Sequence, residues 1–381
     1  MPLTVKDKKQ IEESLQKILD KVQTEESVDL PEGVKRAVQS FSEKVDTATT
    51  AFTNIVTCLI ANITDQDIDP RYHRKPGEGE GMPSPPSGKE NWFSGRSISE
   101  RIIYPWLNAN NYRTAKSGWQ TRTFERPRPY SLSYPENIDY VKGEFLLILD
   151  EIANGKVLAE DVLIYFLKLE EKEKEKRDQT IINIAKFRSE GDKLIQDVIN
   201  AFEEHFTLKD SARLPVLAMY ATYQTVVSDI KKYDGFNLAD LSSHEAADSR
   251  TGSLGDIEIL DEGEDIIIEA IEIKHQIPID EVIALKAKEK IEKSNVSRYY
   301  ILTTHHSCND VDAEVERVIK TIYKEHGCQL IINGVVPTMK YYLRLASKPE
   351  EIIEHYSKLL VADRRIKTHH LEEWDKIIRN L

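Results

Sequence analysis

One aspartate, one glutamate and one lysine recur between residues 255 and 274 at a spacing suited to hydrolysing a phosphodiester. The segment Gly255-Asp256-Ile257-Glu258-Ile259 alternates isoleucine with carboxylate, and Glu269-Ala270-Ile271-Glu272-Ile273-Lys274 alternates isoleucine with charge. Period two is the mark of a strand, so the isoleucines share one face of each segment and Asp256, Glu258, Glu272 and Lys274 share the other. The polar stretch Asp261-Glu262-Gly263-Glu264 between them reads as a turn, and a hairpin centred there sets Asp256 opposite Ile271 or Glu272. Asp256 and Glu272 then offer hard oxygen ligands to Mg²⁺, and the backbone carbonyl of Ile273 offers a third. Such an ion lowers the pKa of a bound water and offsets charge on the phosphate, while Lys274, ~7 Å along the strand from Glu272, orients or deprotonates the attacking water.

An Asp followed after fifteen residues by Glu-Ile-Lys resembles the PD-(D/E)XK nuclease signature, with Gly255 standing where the signature has proline. The run Leu241-Ser-Ser-His-Glu-Ala-Ala-Asp-Ser-Arg-Thr-Gly-Ser-Leu-Gly-Asp256, preceded by Ser211-Ala-Arg-Leu-Pro-Val-Leu-Ala-Met-Tyr-Ala-Thr-Tyr-Gln224, is similar to type II restriction endonucleases and, within them, to the SacI family. The superfamily resemblance covers roughly residues 211–304. It implies an α/β core with a mixed sheet flanked by helices, and Mg²⁺-dependent, sequence-specific cleavage of double-stranded DNA. It also implies a homodimer, a companion methyltransferase and the cytoplasm of a prokaryotic cell. Some nucleases of this superfamily carry a further acidic residue upstream of the aspartate. Glu245 and Asp248 are the candidates here, though each reads more readily as a helix-end or loop carboxylate. Glu258, two residues beyond Asp256, reads as a supporting group or hairpin partner. The same residues would serve a structure-specific repair nuclease or resolvase, and a catalytically silent DNA-binding scaffold would retain the same fold.

The elements around the hairpin fit the order that such a core needs. An apolar helical segment (214–230) comes before it, an amphipathic helix (279–293) follows, and Arg298-Tyr-Tyr-Ile-Leu-Thr-Thr304 reads as a buried strand. Lys286, Lys288, Lys290 and Lys293 are candidates to face the backbone of bound DNA, with a solvated helix face as the default reading. Further on, 311–325 is expected to be helical, 329–333 a short strand, and 350–360 and 370–378 closing helices.

Charge is the feature least like a DNA-binding protein. Lys and Arg number 52 against 65 Asp and Glu, a net charge of −13, whereas nonspecific DNA binders are usually basic. The distribution is uneven, however, because residues 92–130 hold seven Lys and Arg against two Glu. Arg96, Arg113, Lys116, Arg122, Arg126 and Arg128 from this window are the DNA-binding candidates, interleaved with four Asn and Gln and eight aromatics. Arg reads guanine and Asn or Gln reads adenine in the major groove. A satellite hydrophobic cluster with arginines packed on its rings would have the same composition.

Domain organisation follows from composition. Residues 1–70 read as a helical arm, with helical spacing at Ile11, Leu15, Ile18, Leu19 and Val22 and a long proline-free run over 33–63. Residues 71–200 read as a loop-rich and helical region opening in a Pro/Gly stretch (65–91), with helices at 140–152, 159–174 and 181–206, the last running into the core. Residues 201–381 read as the catalytic core. Cys58, Cys308 and Cys328 have no metal-ligand spacing, and no apolar run approaches a membrane span, so a cytoplasmic protein is expected.

Overall fold

The structure is a computed structural model that describes residues 3–24, 28–77, 83, 92–116, 119, 122–138, 140–187, 193–241, 253–261, 263, 266–306, 312–363 and 365–381. The chain forms two compact units, Met1–Lys176 and Arg177–Leu381. This single division differs from the boundaries at 70 and 200 expected from composition. Its physical reason is that one hydrophobic core runs from Leu3 to Leu167, so the expected arm is not an appendage but half of that core.

The first unit is helical among its described residues. Helices α1 (Lys8–Val22), α2 (Glu32–Ser42), α3 (Thr49–Thr64) and α4 (Lys142–Ala153) pack with α5 (Ala159–Lys186), and Phe41, Phe52, Phe145 and Phe166 meet at their centre. The proline-free run 33–63, expected to be helical, divides into α2 and α3. Between them the Thr47 hydroxyl bonds the Lys44 carbonyl at 2.9 Å, a local competitor to the helical ladder. Conversely, α5 continues through the expected gap at 175–180, which contains neither Gly nor Pro to end it.

The second unit is α/β, a five-stranded mixed sheet flanked by helices. Helices α6 (Ile195–Phe206) and α7 (Leu214–Val226) precede β1 (Phe236–Leu238), β2 (Ile257–Asp261) and β3 (Ile267–Lys274). Helix α8 (Glu281–Ile291) leads to β4 (Arg298–Thr303), and α9 (Ala313–His326) leads to β5 (Gln329–Gly334). Helices α10 (Val335–Leu343), α11 (Glu351–Ala362) and α12 (Thr368–Arg379) close the chain. Sheet order is β1-β2-β3-β4-β5, antiparallel from β1 to β3 and parallel from β3 to β5. The antiparallel pair β2–β3 is joined by a short turn in which Asp261 Oδ1 accepts from Gly263 N–H at 2.9 Å. Parallel strands need crossovers, and α8 and α9 supply them. Asp280 and Asp312 cap these helices by accepting from Ile283 and Val315 N–H, and Gly327 ends α9 in the left-handed conformation. Strand β1 and helix α10 were not foreseen. The first is only three residues long, and the second starts directly after β5 with Pro337 in its first turn, a place where proline costs no helical bond.

The two faces of the sheet differ. Ile257, Ile259, Ile271 and Ile273 bury on one face with α7, whose residues are nearly all buried as its uniformly apolar sequence requires. The opposite face is not solvated, as a simple amphipathic hairpin would be. Ala270, Tyr299 and Ile301 are covered there by Ala284, Ala287 and Ile291 of α8 and by Val315, Val318 and Ile322 of α9.

Candidate functional site

Asp256 immediately precedes β2, and its backbone N–H and side chain bracket Glu272. The Asp256 N–H donates to the Ile271 carbonyl at 2.8 Å, and its Oδ2 accepts from the Ile273 N–H at 2.7 Å. The expected placement opposite Ile271 and Glu272 therefore holds, and the carboxylate caps the free edge of β3. On the other edge of β3, the Lys274 carbonyl accepts from Thr304 N–H at 3.1 Å. Because successive residues of a strand turn their backbone groups to opposite sides, the Ile273 carbonyl points back toward Asp256.

Gly255 explains the close approach. A Cβ built at this position would lie 2.7 Å from the Ile271 carbonyl oxygen and 3.0 Å from its nitrogen. Only glycine lets the chain pass this near β3. Glu258 organises the same turn: its Oε1 accepts from Leu254 N–H at 2.5 Å and Gly255 N–H at 3.3 Å, while the Ser253 hydroxyl, 3.2 Å from the same oxygen, donates to the Gly255 carbonyl at 2.7 Å.

Glu272 and Lys274 project from the same face of β3, and Lys274 Nζ donates to Glu272 Oε1 at 2.5 Å. Two residues that sequence reasoning missed complete this arrangement. Lys290 of α8 donates to Glu272 Oε2 at 3.1 Å, and the Tyr299 hydroxyl of β4 reaches the same oxygen at 2.5 Å. Tyr299 also lies 3.0 Å from the Leu254 carbonyl, but it has one proton, and the shorter, charge-assisted contact takes it. Burial pushes the Glu272 carboxyl up, and the Lys274, Tyr299 and Lys290 contacts outweigh it, so the group sits at about 2 against an ordinary 4.5. Lys290 was expected on a solvated helix face. It turns inward because it adjoins the buried Ile291 and lies three residues, nearly one turn, after buried Ala287. That spacing was visible in the sequence.

No family model matches this chain, and no curated protein matches it. The residues themselves carry the functional reading.

Two further clusters support the site. Arg213, just before α7, donates through Nε to Asp363 at 2.8 Å; burial lowers its pKa, while Asp363 and Asp256 oppose that effect, so it lies in the field of Asp256. At the end of β3, His275 bridges the Ser211 hydroxyl (3.0 Å) and the Thr304 hydroxyl (2.9 Å), and burial lowers its pKa. Thr304 Oγ1 also accepts from Gln276 N–H at 2.8 Å. This chain of bonds ties β3 to β4 and to the start of α7, fixing the backbone that carries Lys274.

The remaining candidates are not in this cluster. Glu245 and Asp248 lie outside the described residues. The window 92–130 belongs to the first unit. There Phe93, Trp119, Phe124 and Tyr130 are buried and pack ring to ring, so these four form core. Arg96, Lys116, Arg126 and Arg128 are exposed. Arg96 pairs with Glu100 and Glu125, Arg126 with Glu136, and the half-buried Arg113 with Asp46. Arg122 opens the short helix Arg122–Glu125, and its side chain is not among those described. Glu292, Glu325 and His326 also cluster, but they are exposed and Lys288 already bridges the two glutamates.

Proposed function

We propose that this chain is a Mg²⁺-dependent, sequence-specific double-strand DNA endonuclease of the PD-(D/E)XK type, resembling type II restriction enzymes. The observation that carries the reading is the meeting of Asp256, Glu272 and Lys274 at one end of a mixed sheet built in the order helix, three antiparallel strands, helix, parallel strand.

The donor set fits a hard divalent cation. Asp256 and Glu272 offer carboxylate oxygens and Ile273 a carbonyl directed to the same edge, all oxygen ligands of the kind Mg²⁺ prefers. When bound, such an ion supplies an acidified water and a counter-charge for the phosphate oxygens. Lys274, held against Glu272, orients the attacking water and offers a proton donor to the non-bridging phosphate oxygen. Arg213, held by Asp363, adds positive charge to the field around Asp256 that favours an approaching phosphate. The His275 chain keeps these groups in register by fixing the ends of β3 and β4.

Cutting both strands of a palindrome requires two such sites related by a dyad, hence a homodimer, and protection of host DNA requires a companion methyltransferase. The exposed Arg96, Lys116, Arg126 and Arg128 are the proposed DNA contacts of the first unit.

Incubation with Mg²⁺ and unmethylated phage DNA is the direct test. Discrete bands are expected. A smear would mean a nonspecific nuclease, cutting confined to branched substrates a resolvase, and intact DNA a silent scaffold. Ca²⁺, which fills oxygen sites with longer and looser geometry, should support binding without cleavage.

A further inference from the structure

We propose that Lys290 is a positioning residue that, with Tyr299, holds Glu272 in a stored orientation and so makes cation uptake by the site depend on the arrival of DNA. This rests on the reading that Asp256 and Glu272 hold the cation.

An ionised carboxylate has about four lone-pair sites. Three donors already converge on Glu272: Lys274 on Oε1, and Lys290 and Tyr299 on Oε2. Two of them are ammonium groups, within 2.5 and 3.1 Å, and the Lys274 and Lys290 side chains are each only 27% exposed. Asp256 and Glu272 together carry two negative charges, and the two lysines on Glu272 already set two positive charges against them. A divalent ion entering the site meets two ammonium groups at close range. Even with the full screening of water, one ammonium about 5 Å from a dication weakens its binding roughly tenfold. An incoming phosphodiester adds negative charge and gives the Lys290 ammonium another partner, which removes one of the two donors on Glu272 Oε2 and leaves Tyr299 on the other lone pair. Cation and DNA then favour each other, and the coupling is reciprocal.

Lys274 alone would not produce this behaviour, because it is needed at the reacting phosphate. Lys290 is supplied by a different element, and α8 is fixed by the Asp280 cap and by burial of Ala284, Ala287 and Ile291, so the ammonium is delivered from a rigid helix.

The test is calorimetric titration of Ca²⁺ into the full chain, with and without a cognate or mixed-sequence duplex, for the wild type, Lys290→Met, Lys290→Arg and Asp256→Asn. Lys290→Met should bind Ca²⁺ in the free protein about tenfold more tightly, with a smaller gain on adding DNA. Lys290→Arg, which keeps the charge, should behave as the wild type and so separates charge from folding. The inference is overturned if Lys290→Met leaves the free-protein affinity unchanged or weaker while Asp256→Asn abolishes binding, a result that keeps the cation site and removes Lys290 from it. Should Asp256→Asn bind Ca²⁺ as the wild type does, or should no form bind Ca²⁺ even with DNA, the cation site at Asp256 and Glu272 and the role of Lys290 fall together.

Discussion

Replacing Gly255 by alanine tests how tightly the site is built. The added Cβ would meet the Ile271 carbonyl oxygen at 2.7 Å, its nitrogen at 3.0 Å and its carbonyl carbon at 3.1 Å, where ordinary contact begins near 3.4 Å. None of these atoms can rotate aside, since Ile271 is paired with Ile257 on one side and Tyr300 on the other. The segment before β2 must therefore withdraw by about 0.7 Å. That strain costs about 1–3 kcal/mol, and loosening the two bonds that Asp256 makes to Ile271 and Ile273 adds about 1 kcal/mol. The expected loss of stability is about 2–4 kcal/mol by urea denaturation. A displacement of this size at a reacting centre is worth roughly 10²-fold in rate, so single-turnover cleavage should fall by that factor. Proline, the residue that the resembling signature carries here, should be no better. It also brings a Cβ, and it removes the N–H that Gly255 donates to Glu258. A Gly255→Ala protein within about 0.5 kcal/mol of the wild type and cleaving at the same rate would refute this reasoning.

Asp256→Asn should abolish cleavage while keeping or tightening specific DNA binding, because a carboxylate facing phosphate is removed; wild-type cutting by this variant in a gel assay would exclude Asp256 from the site. Glu272 gives a pH signature. Its folded pKa of about 2 lies below the ordinary 4.5, so its contribution of about 3 kcal/mol should be complete above pH 4.5 and disappear as pH falls through about 2. The stability difference between wild type and Glu272→Gln should shrink in that window, and a difference that grew on acidification would contradict the sign. Glu269→Gln should cost stability but leave Ca²⁺ titration unchanged, since Glu269 is 1% exposed and spent on Lys232, Arg298 and Tyr233. Among the basic residues of the first unit, Arg126→Ala and Arg128→Ala should each reduce the salt slope of DNA binding by about one, whereas Arg113→Ala should chiefly lower thermal stability through its partner Asp46. Unchanged salt slopes would place the DNA-contacting surface elsewhere.

Where the sequence was legible, two periodicities made it so. Alternating isoleucines marked β2 and β3 and their buried face, and the apolar run at 214–230 marked α7 as a central helix. The pairing of Asp256 with the middle of β3 followed from the turn at Gly263. Contacts between distant elements were not legible. Nothing local to residue 299 announces a tyrosine aimed at Glu272, because the parallel register between β3 and β4 is set by the path of α8. The aromatic residues at 92–130 illustrate the opposite limit. Composition alone could not separate base-reading residues from core, and burial assigns Phe93, Trp119, Phe124 and Tyr130 to core while leaving Arg96, Arg126 and Arg128 exposed.

Strand β3 carries two glutamates with nearly the same company, and the contrast shows what distinguishes a candidate site from a structural ion cluster. Glu269 accepts from Lys232, Arg298 and Tyr233; Glu272 accepts from Lys274, Lys290 and Tyr299. Each has two cations and one tyrosine. Glu269, however, lies opposite Ile259 within the β2–β3 ladder and is sealed from solvent, whereas Glu272 lies where β2 has ended and a second carboxylate, Asp256, takes its place. Counting charges along the strand treats the two alike. Three residues apart, the two also lie on opposite faces of β3, Glu269 on that of Ile271 and Ile273, and only at the end of the neighbouring strand can a second carboxylate, a carbonyl directed to the same edge and an incoming phosphate converge. Gly255, by letting the chain cross within van der Waals reach of Ile271, sets where that end falls.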